Sequence, residues 1–423
     1  MKNFKTALAA ILAACALLNL TGCSDNSVSS DDKSKSDASS SGNSAETIKT
    51  QYAPITLTDS NTENSIRLFD AITADKDNAM LSPLSLNMAL GLLEAGANGE
   101  TKAQLDSYLQ TENYTDFAAE YLEFVRKHRS DEKIYPWQDT PDEVLEIANS
   151  LWADNALPLK DDYKQRIGGK FKAEIKNLDF SDPSNALKEI NGWVNEKTHE
   201  MIPSVLDEIS PATAAVLINT VYFESAWYLG EWDIDENKKE SYTLSDGTVK
   251  ELPLMNTSVP AYFENSRATA FGLPYKNGVD FIGILPKESG EFTLESLDIP
   301  ALLKSEADYY EVTAVMPRLK FDTDFALRDV LCAAGIENVF DVSAADLSGI
   351  SDMPLYVSEI IQKTSLELDE KGTKAAAVTA DFLTGGGPVY KGTKTVRLDR
   401  PFAFLIYDKT QDQILFMGKV TEP

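Results

Sequence analysis

The segment that most constrains this chain is residues 370–380, Glu-Lys-Gly-Thr-Lys-Ala-Ala-Ala-Val-Thr-Ala. It directly follows residues 357–369, which alternate late in their course (Leu366, Glu367, Leu368) and read as a long strand. Taken alone, alanine-rich sequence favours helix. Gly372, Thr373 and Val378 weaken that preference, and the segment runs on into a polar Gly/Pro loop, not a core. Read at period two, one face is Thr373, Ala375, Ala377 and Thr379, all small. The other is Lys374, Ala376, Val378 and Ala380. A strand with a uniformly small inner face can slide between two existing strands without overpacking the core.

The rest of the body supplies sheets to receive such a strand. Residues 61–75 carry Ile66, Leu68, Phe69 and Ile72 at near-helical spacing. Ser82-Pro83 fits an N-cap followed by N1 of a second helix. Further helices are expected from residue 100, over 184–199 and around 325–335. Residues 129–142, with two prolines, read as a loop. Residues 144–152 are strand-like, and 214–223 form a nearly continuous apolar run that suits a strand buried on both faces. Shorter strands are expected at 242–244, 262–263 and 281–285, and one over 312–321. The chain ends in a hairpin, 402–407 and 414–420. Helices first, then many strands with helices interspersed, make this an α+β chain with large sheets.

The N-terminus is of another kind. Met1, Lys2 and Lys5 precede an apolar run, 7–18, too short to span a bilayer comfortably and laid out as a secretory signal. Leu20-Thr21-Gly22-Cys23 resembles a bacterial lipobox, which makes Cys23 the lipidated first residue of the mature chain. Residues 24–50 are rich in Ser, Asp, Asn and Lys and read as a flexible tether. The expected organisation is a signal over 1–22, a tether over 23–54 and one folded body over 55–423. The expected place is outside the cytoplasm, lipid-anchored to a bacterial envelope.

Several chemistries are excluded by what is scarce. With 67 acidic against 39 basic residues, net charge −28, the chain is not built to neutralise phosphates, so no nucleic-acid partner is expected. Cys15 lies in the signal and Cys23 is the lipid site, so Cys332 alone cannot form a disulfide within the body and reads as a buried apolar residue. Only His128 and His199 are present, too few for paired Cys/His zinc sites and a poor basis for a nucleophile–histidine machine. Gly385-Gly386-Gly387 leads into Pro388, not into a helix, and is no phosphate cradle. No metal, no cofactor and no enzymatic activity are expected.

The segment at 370–379 resembles the proximal hinge of the serpin family, Glu-x-Gly-Thr-x-Ala-Ala-Ala-x-Thr. Four more blocks are similar to that family, in its order. They are Asn78 through Leu105, with Ser82-Pro83-Leu84-Ser85 and Glu94-Ala95-Gly96-Ala97-Asn98-Gly99-Glu100-Thr101; Asn219-Thr220-Val221-Tyr222-Phe223-Glu224-Ser225-Ala226-Trp227; Asp399-Arg400-Pro401-Phe402-Ala403-Phe404-Leu405-Ile406; and Ile414-Leu415-Phe416-Met417-Gly418-Lys419-Val420. The resemblance covers about residues 55–423. It implies the serpin fold: a large, mostly antiparallel central sheet, further sheets, eight to nine helices and an exposed reactive loop. It implies a suicide-substrate inhibitor of serine proteases, with cysteine proteases also open, acting as a monomer that forms a covalent acyl complex with its target. By the same resemblance Glu370, Gly372, Thr373, Ala375, Ala376, Ala377 and Thr379 are hinge residues. Trp227 sits where loop insertion begins, and Ser82, Ser85, Asn219 and Gln362 form a polar cluster beneath the main sheet. Many relatives have His where Gln362 stands; Gln keeps donor and acceptor but does not charge near neutral pH.

The bait bond is less constrained. Counting from Glu370 gives Gly386-Gly387; counting back from Arg400 points nearer Tyr390-Lys391, with Leu383 another rival. Glycine offers no side chain to a specificity pocket, and Asp381 falls on the inward face, where burial is costly. These two features support the alternative, a non-inhibitory serpin-fold binding protein.

Overall fold

A computed structural model describes residues 10–20 as backbone, and 51–111, 113–130, 144–228, 232–305, 310–373 and 392–423. The described residues contain eight α-helices and several mostly antiparallel sheets, an α+β arrangement. None of these helices is long and apolar enough to cross a membrane.

The main sheet takes its centre from Thr213–Ala226, all of whose residues are buried. Its continuous apolar run fits a strand covered on both faces. On one side follow Val144–Asp154 and then Glu174–Leu178; on the far side lie Leu355–Leu368 and then Leu319–Ala326. Leu355–Leu368 alternates buried with half-buried positions over most of its length, the period-two signature of its sequence. Between Thr213–Ala226 and Leu355–Leu368 runs an eleven-residue strand, Ala10–Leu20, antiparallel to both. This is the apolar segment that the sequence marks as a secretory signal.

The second sheet is built on the C-terminal hairpin, Phe402–Asp408 with Gln413–Val420. It is extended by Ala79–Leu81 on one side and by Asp280–Pro286, Ala268–Pro274 and Ala261–Glu264 on the other. A third sheet joins Met255–Val259, Tyr310–Met316 and Gly392–Arg397. Helix Pro83–Glu94 is buried along its whole length, as an apolar-all-round helix must be, and packs against both of the larger sheets.

Two expectations are corrected here. The strand expected over 312–321 is two strands in different sheets, Tyr310–Met316 and Leu319–Ala326. Pro317 lies between them, and without an N–H it cannot continue a ladder. The helix expected from 325 begins later, at Arg328–Ala333, because Phe325 is still a buried strand residue paired with Gln362. Three helices were not foreseen, Tyr114–Val125, Asp161–Lys170 and the short Ile299–Leu303. The first is held by aromatic contacts along one side, with Phe117 and Tyr121 stacked at 5.9 Å.

Candidate functional site

At one end of the main sheet the chain turns back after Leu355–Leu368 and lays Gly372 and Thr373 against Ala226 and Ser225. Backbone contacts hold this turn in place. The Trp232 amide donates to the Glu370 carbonyl at 2.8 Å, and the Trp227 amide to that of Lys371 at 3.3 Å. The Trp227 indole N–H donates to the Asp369 carbonyl at 3.1 Å. Gly372 has φ +133°, a conformation that side chains disfavour. A Cβ there would lie 2.5 Å from the Ser225 carbonyl oxygen, so the close approach itself demands glycine.

Thr373 is fully buried, and its hydroxyl shares a 2.8 Å hydrogen bond with that of Tyr275. The Tyr275 ring stacks on Trp227, centroids 4.4 Å apart, and meets Phe223 edge-on at 4.9 Å. Burial pushes the Tyr275 phenol far above its ordinary range, so it stays a neutral donor and acceptor. Outside this apolar nest, Arg318 bridges Glu370 and Glu236, each at 2.8 Å. Burial raises the Glu370 carboxyl, but hydrogen bonding and charge from Arg318 outweigh it, leaving the group below its usual range and ionised.

Lower in the same sheet lies a buried polar cluster. The Ser82 side chain caps helix Pro83–Glu94, accepting the Ser85 amide at 3.2 Å. Gln362 clasps the Ser82 backbone: its carbonyl accepts the Ser82 N–H and its amide donates to the Ser82 C=O, both at 3.2 Å. The Ser85 hydroxyl donates to Asn219 Oδ1. Asn219 Nδ2 donates to Asn149 Oδ1 at 2.8 Å, and Asn149 Nδ2 to the Phe171 carbonyl at 2.8 Å. One helix start therefore grips both Thr213–Ala226, through Asn219, and Leu355–Leu368, through Gln362. Each side-chain nitrogen and oxygen named here makes at least one hydrogen bond, as burial requires.

The structure thus brings Ser82, Ser85, Asn219 and Gln362 together in one cluster, and Trp227, Glu370, Gly372 and Thr373 in another. Tyr275, Arg318 and Asn149 complete these clusters and were not singled out from sequence. Only Asn149 carried a visible signal, a polar residue within an apolar strand pattern. Ala375, Ala376, Ala377, Thr379, Asp381, Leu383, Gly386, Gly387, Tyr390 and Lys391 lie outside the described residues, as does Cys23. Cys332 is buried, which pushes its thiol up to about 12 and keeps it protonated.

The model of the family described as serpin (serine protease inhibitor) matches residues 59–423. An uncharacterised serpin-like protein of Thermococcus kodakarensis is 31% identical over 366 residues, 84% of this chain and 83% of that protein. Iripin-2 of Ixodes ricinus is 30% identical over 384 residues, 86% of this chain and 93% of its own. Among solved structures, the thermophilic serpin tengpin in its native state superposes with a TM-score of 0.71 at 30% identity, covering 88% of this chain and 97% of that one. Its latent state gives 0.70 at 29% identity, covering 86% and 97%. The match spans nearly the whole body, and on that ground this chain belongs to the serpin family.

Proposed function

We propose that this chain is a suicide-substrate inhibitor of proteases, serine proteases first, held outside the cell by a lipid on Cys23. The observation that carries the reading is the pairing of Gly372 and Thr373 with Ala226 and Ser225. The first residues of the hinge already sit in the main sheet, and the residues that follow are small on the face they share with Thr373. A continuation of this pairing would enter the position between Thr213–Ala226 and Leu355–Leu368.

The chemistry belongs to the target. Its nucleophile attacks the carbonyl of the bait bond, the amine of the next residue leaves, and an ester or thioester links protease to loop. Cleavage frees the loop to continue the ladder that Gly372 and Thr373 begin. Advancing one loop residue for each residue back along the strand puts Ala375 opposite Phe223, Thr379 opposite Asn219 and residue 385 opposite Thr213, the end of the strand. That insertion spans roughly 46 Å at about 3.3 Å per residue. It carries the acylated protease to the far end of the sheet, where distortion stops deacylation. The same register supports Gly386-Gly387 as the bait bond, since it falls just beyond the inserted stretch. Leu383 would be drawn inside, and Tyr390-Lys391 would leave slack.

One feature favours the alternative, a non-inhibitory binding protein. The same register sets Asp381 opposite Leu217, which is fully buried. A denaturing gel of residues 24–423 with elastase, chymotrypsin, trypsin, subtilisin and papain decides between them. A covalent band, with the mass of the released C-terminal peptide, is the expected result and identifies the bond. Loop cleavage by all five without a band would overturn the inhibitory reading. Labelling of the cell-made chain by a fatty acid, lost in Cys23→Ala, tests the anchor.

A further inference from the structure

The position between Thr213–Ala226 and Leu355–Leu368, which loop insertion would require, is held by residues 10–20 of this chain, within the expected leader. Ala10–Leu20 lies antiparallel between Thr213–Ala226 and Leu355–Leu368, with Ala10 opposite Phe223 and Leu366 and Leu18 opposite Ala215 and Val357. It runs in the same direction along Thr213–Ala226 as Gly372–Thr373 does, both being antiparallel to it. Thr373 faces Ser225 and Ala10 faces Phe223, so among the described residues one ladder position, opposite Glu224, separates them. The hinge can advance by one residue before it meets Ala10. Leader and loop are therefore mutually exclusive occupants of the same ladder, position for position.

The slot suits the leader at least as well as the loop. Its neighbour Thr213–Ala226 is buried throughout, and the leader, Ala-Ile-Leu-Ala-Ala-Cys-Ala-Leu-Leu-Asn-Leu, carries no charge. The loop stretch that would replace it contains Asp381. Ala14 falls opposite both Asn219 and Gln362, the two residues through which the polar cluster grips the flanking strands. A strand at this position also gives both flanking strands antiparallel partners, the more stable ladder per residue. Residues 21–50, extended, reach up to about 100 Å, ample chain to thread the leader into the sheet from the tether.

We propose that the unprocessed chain is autoinhibited: its leader occupies the insertion slot as a strand in cis, and removal of the segment ahead of Cys23 opens the slot. Inhibitory competence then follows processing, and a chain that keeps its leader cannot trap a protease. The proposal rests on the inhibitory reading for its consequence, but the placement of the leader can be tested without it.

Two arms use the full 423-residue chain. In the first, Cys23→Ser and Cys332→Ser leave Cys15 alone, and Ile361→Cys or, separately, Ile218→Cys is added. Both positions face Cys15 in register. Mild oxidation is expected to link Cys15 to either partner, seen by peptide mass mapping, and Ala14→Pro to abolish the link. A folded protein in which neither pair links overturns the proposal. In the second arm, the full chain is compared with Leu12→Pro/Ala16→Pro, which cannot complete the ladder. The covalent complex is expected to be at least 10-fold more abundant in the proline variant; equal yields overturn the proposal. If residues 24–423 also give no complex, the inhibitory reading has failed, and the cross-link alone decides where the leader sits.

Discussion

The hydroxyls of Thr373 and Tyr275 lie 2.8 Å apart in a site closed to water. This contact fastens Thr373, which pairs with Ser225 in the main sheet, to Tyr275, which directly follows strand Ala268–Pro274 of the second sheet. Tyr275→Phe leaves the Thr373 hydroxyl buried without that partner, a loss of about 1–3 kcal/mol. The expected outcome is a lower thermal midpoint, with a larger fraction of chain cleaved as plain substrate when mixed with a susceptible protease. Densitometry of complex against cleaved band measures it.

Gly372 and Thr373 should tolerate little. Gly372→Ala forces a Cβ against the Ser225 carbonyl at a positive φ, a strain of about 1–3 kcal/mol. Thr373→Arg would bury a charge in the nest of Tyr275 and Trp227. Both variants are expected to be cleaved at the loop at near wild-type rate while the covalent band falls, completely so for Thr373→Arg. A Thr373→Arg chain that still forms stable complex would sink the insertion mechanism.

The polar cluster should behave as one unit. Asn219→Ala deprives both Ser85 and Asn149 of partners and is expected to cost about 2–4 kcal/mol in denaturant unfolding. Combined with Ser85→Ala, the losses should fall short of additivity by about 1 kcal/mol or more. Strict additivity would mean the hydrogen bonds are independent.

Asp70 gives the fold a pH dependence of known sign. Its carboxylate accepts the backbone N–H groups of Leu294 and Glu295 at 2.8 Å each, but burial prevails and raises it to about 6. A carboxyl raised in the folded state binds its proton more tightly there than in the unfolded chain. Stability therefore falls as pH rises from about 4 to about 6, and the penalty persists above. Thermal midpoints should carry this component between pH 4 and pH 6, and Asp70→Asn should remove it. An unchanged profile in the variant would assign the dependence elsewhere.

Much of this protein could be read from residue order alone. The all-buried strand 213–226, the alternating strand 355–368, the Ser82-Pro83 helix start and the C-terminal hairpin follow from periodicity and capping, which act within a few residues. So do the small parity of the hinge and the scarcity of histidine. Other features depend on which distant segments meet. Pro317 could be seen, but not that the strands on its two sides join different sheets. Tyr275 lies about a hundred residues before Thr373, and nothing local marks it as that residue's partner. Asn149 closes a chain of hydrogen bonds whose other links come from three separate elements. Residues 10–20 show the division most plainly. An uncharged apolar run is compatible with an export signal and with a strand inside a sheet, because both call for hydrophobic residues. Only the tertiary structure pairs this run with both Thr213–Ala226 and Leu355–Leu368.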